Sequence, residues 1–198
     1  MNKELKKKAF SEIVSAEKLV IRWIETRTKF EMDIFNQLVE ITHAIIKEAF
    51  STKVITPGIT TTEDVVWWMR EKVSNLGLKT WFHPTVDVQR SNNSDLYAFD
   101  GKPKFDVISP GDLIHCDFGI TYLGLNTDCQ ELAYVLKRGE SEAPIYLSNA
   151  LKEGNKLQDI LTSNFIEGDS GNTILLNSLN QAVNSDLRPS IYTHPLGF

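Results

Sequence analysis

Apolar residues recur at helical spacing along the first quarter of the chain. Ile21, Ile24, Phe35, Leu38, Ile41, Ile45 and Phe50 follow intervals of three, four and seven, with charge between them. Residues 3 to about 50 therefore read as helix. The pattern breaks near Thr26-Arg27-Thr28, which divides the stretch into two helices. Ile55-Thr56-Pro57-Gly58 is a turn signal, and it leads into Thr60-Thr61-Thr62-Glu63-Asp64. There a threonine caps the next helix and the acidic residues favour its first turn. That helix carries Val65, Val66, Trp68, Met69 and Val73, and it ends at Gly77 with a C-cap.

From residue 79 to 136 the pattern changes to strand and turn. Residues 81–88 read as a strand, and residues 91–106 as a polar, turn-rich surface excursion. Ser109-Pro110-Gly111-Asp112 predicts a tight turn. Residues 113–120 and 126–136 then predict two strands joined by a short Gly-containing connection. Residues 142–166 and 172–186 return to helical periodicity, and residues 191–198 begin another strand or loop.

Composition narrows the class. The chain has 198 residues, 41% hydrophobic and 24% charged, which is enough for one core of ordinary size. Net charge is -5, with both signs interspersed. The one basic cluster, Lys6-Lys7-Lys8, stands beside Glu4 and Glu12 and reads as a solvated helix face, so no nucleic-acid partner is expected. No apolar run approaches 18 residues, so no membrane span is expected. The N-terminus lacks the apolar core of a signal peptide, which predicts a cytoplasmic protein. Cys116 and Cys129 make no disulfide framework and are expected to be buried, reduced thiols.

Strand parity singles out two carboxylates. On residues 113–120 the apolar Ile114, Cys116, Phe118 and Ile120 share one face, so His115 and Asp117 point the other way. On the returning strand Asn126, Asp128 and Gln130 share a face. With Asp117 opposite Asp128, the turn centres between Tyr122 and Leu123. Like charges directly opposed destabilise a sheet, so either a proton or a bound cation is required. Two divalent ions sharing bridging carboxylates satisfy that requirement, and two exposed aspartates near a turn are the plain alternative. His43, within the helical stretch, reads as structural.

These residues match a family. Asp117-Phe118-Gly119, with Asp128 eleven residues beyond Asp117, resembles the first two metal ligands of the pita-bread metallopeptidases. That superfamily includes methionine aminopeptidase, Xaa-Pro aminopeptidase and prolidase. Ile55-Thr56-Pro57-Gly58-Ile59-Thr60 is similar to the family's PG-x-T approach to a helix. Ser109-Pro110-Gly111-Asp112-Leu113-Ile114 resembles its GD lead into the first-ligand strand. The resemblance runs from about Arg22 to the end of the chain.

It implies an α+β pita-bread fold, a curved antiparallel sheet with helices on one face, represented here by residues 1–198 as a partial catalytic domain. Residues 1–50 would be a helical N-terminal segment, 51–140 the first half with the aspartate hairpin, and 141–198 the helices and start of the second half. It implies two divalent ions (Mn, Co, Zn or Fe), with Asp128 bridging both and Asp117 serving one, and hydrolysis of N-terminal peptide bonds, of Xaa-Pro type, by metal-activated water.

His83 is similar in position to a histidine that faces the substrate. His194, in Thr193-His194-Pro195-Leu196-Gly197, corresponds either to the third metal ligand or to a substrate-side histidine just before it. Pro195 in place of the first glycine favours the second. The family's remaining ligands, one His and two Glu, would then lie beyond Phe198, and this chain alone is expected to bind metal weakly or not at all and to be inactive. An unpaired sheet edge predicts association, as in a homodimer, or disorder. Cys129-Gln130-Glu131 stands where the family continues with Thr and often Arg, which opens the substrate preference. The alternative is a non-catalytic pita-bread module that binds a peptide or protein.

Overall fold

Several helices begin where a side chain satisfies backbone groups. A computed structural model describes residues 14–90 and 106–192; the Lys6-Lys7-Lys8 cluster, most of the predicted excursion and His194 lie outside them. Helices α1 (Glu17–Glu25) and α2 (Lys29–Ala49) part where expected, because Thr28 caps α2. Its hydroxyl accepts from the Glu31 N–H while its own N–H donates to Glu31 Oε2 at 2.6 Å. Helix α3 (Thr62–Asn75) begins with the same device, Thr61 with Asp64, and Gly77 just beyond it takes the left-handed conformation, φ 72°.

The inner faces of α2 and α3 are Leu38, Ile45, Ile46 and Ala49, and Val65, Val66, Met69 and Val73. Helical period does not bring burial everywhere on the first helices. Ile21 and Ile24 remain 44% and 43% exposed, since α1 buries no side chain against the described residues. Ile41 stands at the exposed margin of α2. Helical period was present at all three positions; a partner surface was not.

The strands are β1 (Lys79–Thr80), β2 (Thr85–Gln89), β3 (Leu113–Phe118), β4 (Ile120–Tyr122), β5 (Leu125–Asn126) and β6 (Cys129–Tyr134). They form two antiparallel ladders, β1-β4-β5 and β2-β3-β6. Phe118 pairs with Cys129 and Thr121 with Asn126, so β3-β4 and β5-β6 are one hairpin in continuous register, broken at Gly119 and Thr127-Asp128. On the other side Thr80 faces Ile120 while Thr85 faces Asp117. Residues 81–84 are therefore a bulge spanning only Phe118 and Gly119, and the predicted strand 81–88 is cut by it.

Ile114, Cys116, Phe118 and Ile120 are fully buried and meet α2 and α3 in one core with Val86, Ile108 and Leu125. Each such side chain removed from water contributes about 1.5–3 kcal/mol. The turn ahead of β3 is pinned by a buried carboxylate. Asp112 accepts the Ser109 N–H at 2.8 Å and a forked pair from Arg90, Nε at 2.9 Å and Nη2 at 3.0 Å. That hydrogen bond to Asp112 holds the Arg90 guanidinium more firmly protonated than usual.

Helices α4 (Ile145–Ser163) and α5 (Gly171–Val183) follow, α4 within its predicted stretch and α5 starting one residue ahead of its own. Among the described residues they bury only Ile160, Ser178 and Ala182. No helix of the described residues is long and apolar enough to cross a membrane.

Candidate metal site

The hairpin kink is built from a glycine and a threonine. A Cβ on Gly119 would stand 2.0 Å from the Thr127 carbonyl oxygen, so only glycine lets the two backbones approach there. Thr127 is fully buried. Its hydroxyl accepts the Ile120 N–H at 2.9 Å and lies 2.8 Å from the Thr42 hydroxyl on α2, which donates to the Leu38 carbonyl. The residue immediately before Asp128 is thus anchored to the core helix.

Asp117 and Asp128 occupy one face, as parity predicts, but they are not directly opposed. Asp117 pairs with Gln130, and the same register carries Asp128 toward Gly119. The turn is Leu123-Gly124, with φ of 51° and 77°, one residue further along than expected. Two left-handed residues match the twist of a two-residue hairpin, and glycine supplies the second without strain. The carboxylates are diagonal neighbours, whose Cβ atoms lie somewhat under about 7–8 Å apart. Diagonal placement weakens the repulsion that direct opposition would bring. Both residues are half-buried, and Asp117 Oδ1 is shielded from solvent.

The rest of that face is polar. His115 and Asp117 share it with Asp87 and Thr85, their direct partners on β2. His115 Nε2 lies 2.9 Å from Gln130 Oε1, and Gln130 Nε2 lies 3.5 Å from Asp117 Oδ2. Asp87 escaped the sequence reading, although alternation with Val86 and Val88 could have found it. Oxygen donors of this kind suit hard divalent cations. Among the described residues, however, no group of three or more His, Cys, Asp or Glu side chains is gathered to hold a metal. The donors fit half of a site.

His83 is not on a strand. It sits exposed in the bulge, edge-on to Trp67 at 6.3 Å, with Nδ1 2.9 Å from Arg70 Nη1. Arginine only donates, so Nδ1 accepts and the ring proton belongs on Nε2. Arg70 also lies over the Trp67 ring, 4.7 Å from its centroid, and the Trp67 indole N–H donates to Glu63. The bulge brings His83 opposite the Gly119 kink rather than into regular register with Asp117. His43 ties α2 to β6 through Glu131 at 2.9 Å, a structural contact. His194 lies outside the described residues.

Beneath the aspartates, on the apolar face, Cys116 and Cys129 are buried free thiols. Burial pushes Cys116 up to about 12 and Cys129 up to about 11, so neither is a nucleophile near neutrality.

The sequence profile of metallopeptidase family M24 matches residues 33–161, well over half of the chain and spanning the whole hairpin. The chain belongs to metallopeptidase family M24. Solved structures share its fold. An X-Pro aminopeptidase from Thermotoga maritima aligns with a TM-score of 0.68 and 18% identity, over 86% of this chain and 45% of that one. A prolidase from Pyrococcus furiosus aligns at 0.67 and 17%, over 94% and 53%. A prolidase from Thermococcus sibiricus aligns at 0.66 and 15%, over 86% and 44%. No curated protein matches the chain. The M24 chain therefore has the pita-bread fold, α+β, and spans about half the length of these structures.

Proposed function

We propose that this M24 chain is the first half of the catalytic domain of a two-metal exopeptidase that cleaves N-terminal peptide bonds, with Xaa-Pro peptides as its substrate class. The observation that carries the reading is the aspartate pair. Asp117 and Asp128 share one face at a kink that Gly119 and Thr127 build, within a metallopeptidase chain. In this reading Asp117 and Asp128 would be among the residues that hold the divalent ions. His83 offers its Nε2–H to the substrate side, and His194 joins it there or completes the ligand set. Bound divalent ions supply Lewis acidity and an activated water. The protein's own part is to hold two carboxylates in register and to aim an imidazole donor at the peptide.

Mn, Co, Fe and Zn all suit such donors. Two carboxylates are too few to hold two ions tightly, so the 198 residues alone bind metal weakly and do not hydrolyse peptides. Strand β6 ends its ladder among the described residues, and further strands of the domain or a second copy pair there. Two free buried thiols favour a reducing compartment, the cytoplasm.

The test is metal analysis of the natural full-length protein beside its Asp128→Asn variant, with Xaa-Pro hydrolysis measured in both. The expected result is about two divalent ions per chain, lost in the variant together with activity. Unchanged metal content in Asp128→Asn would sink the site. A metal-free, inactive natural protein that still binds peptide would instead make the domain a binding module. Hydrolysis by the 198 residues alone, with added Mn or Co, would overturn the half-domain reading.

A further inference from the structure

The polar face holds an interaction that the aspartate pair by itself does not explain. Gln130 is exposed, yet its amide is engaged at both ends, by His115 Nε2 at 2.9 Å and by Asp117 Oδ2 at 3.5 Å, the long end of hydrogen-bonding range. Chemistry sets the amide's orientation. A carboxylate oxygen only accepts, so the NH2 group faces Asp117 and the carbonyl faces His115. The carbonyl in turn requires a proton on His115 Nε2. One amide thus selects the histidine tautomer and the rotation of the carboxylate together.

The register explains why these three meet. Gln130 stands directly opposite Asp117, and His115 is the next residue on that face of β3. His115 is itself flanked on β2 by Asp87, its direct partner. The row runs across the sheet on the same side as Asp128. Neither Gln130 nor His115 need be a ligand for the row to matter. A carboxylate that binds a cation well is one whose orientation is already set, and partners of ligating groups are worth about 10–100-fold in metal affinity.

We propose that Gln130 is a positioning residue for the aspartate site: it orients Asp117 through its amide N–H and is held in turn by the Nε2–H tautomer of His115. The proposal rests on the metal reading of Asp117 and Asp128, and the experiment separates the two. Ring-nitrogen NMR of His115 in the 198-residue chain tests the hydrogen-bond row without any metal. The expected signature is the Nε2–H tautomer, lost in Gln130→Leu and retained in Gln130→Glu, which keeps an acceptor toward His115.

Mn2+ binding by the natural full-length protein, followed by electron paramagnetic resonance, tests the consequence. Gln130→Leu is expected to weaken binding about 10–100-fold. Its denaturation midpoint should match the parent's, because the side chain is exposed. An Nδ1–H tautomer in the parent chain, or a signature indifferent to Gln130→Leu, would overturn the row. Mn2+ affinity within twofold of the parent would overturn the positioning role even with the row intact. If the parent protein binds no Mn2+, the metal reading falls, and the proposal falls with it whatever the tautomer shows.

Discussion

The helices within residues 29–75 and those within residues 145–183 carry the same kind of helical periodicity, yet only the first pair closes a core. In the first, α2 and α3 lie on the apolar face of the ladders and Met69, Ile108, Ile114 and Phe118 are wholly buried. In the second, α4 and α5 face each other and leave Leu151, Phe165 and Leu176 more than half exposed. A helix period states that a segment needs an apolar partner. It does not state that the partner is present. The candidate site lies in the region where that need is met, on the opposite face of the strands that the core holds rigid.

The largest loss is expected at the kink. Gly119→Ala puts a methyl carbon 2.0 Å from a backbone oxygen that cannot retreat without shifting Thr127. A loss above about 4 kcal/mol is expected in chemical denaturation, in the range reserved for named structural failures. A variant as stable as its parent would show that the hairpin is not pinned there. Next in size is Met69→Ala, which empties a fully buried position on α3 and should cost about 2–5 kcal/mol.

A third effect is read from pH. Burial raises both thiols above the ordinary value of about 8.5 that they regain on unfolding. Between those values the unfolded chain has released protons that the folded chain keeps, so stability is intact below about pH 8.5 and falls as pH rises toward 11–12. Denaturation midpoints measured from pH 8 to 10.5 should decline, and less steeply in a Cys116→Ala, Cys129→Ala double variant. Equal slopes would mean that the thiols are not buried as described. The smallest change is expected in the second region. Leu176→Ala, at a position 59% exposed, should stay within about 0.5 kcal/mol. A loss matching that of Met69→Ala would erase the contrast between the two regions.

Much of this was legible in the order of residues. Thr28 with Glu31 and Thr61 with Asp64 announce helix starts, because capping is a local exchange of hydrogen bonds. The same holds for the turn at Ser109-Pro110-Gly111-Asp112, and for the parity that puts His115 and Asp117 opposite Cys116 and Phe118. Less legible was the use of Asp112. It stands in the GD lead that resembles the family's, and its partner Arg90 is 22 positions away, so only folding reveals it as a structural fork.

The aspartate pair shows where the boundary falls. Alternation along each strand is a property of the chain, and it placed Asp117 and Asp128 on one face without any knowledge of packing. Their offset is not such a property. A shift of one residue in the turn moves every cross-strand partner by two while leaving parity unchanged, so both registers satisfy the same pattern. What selected the observed one is tertiary: the Leu123-Gly124 turn, the Thr127 hydroxyl reaching Thr42 on a distant helix, and a glycine where two backbones nearly touch. Residue order by itself determined which carboxylates face the same way. Packing decided that they lie on the diagonal, and that Gln130, rather than Asp128, stands across from Asp117.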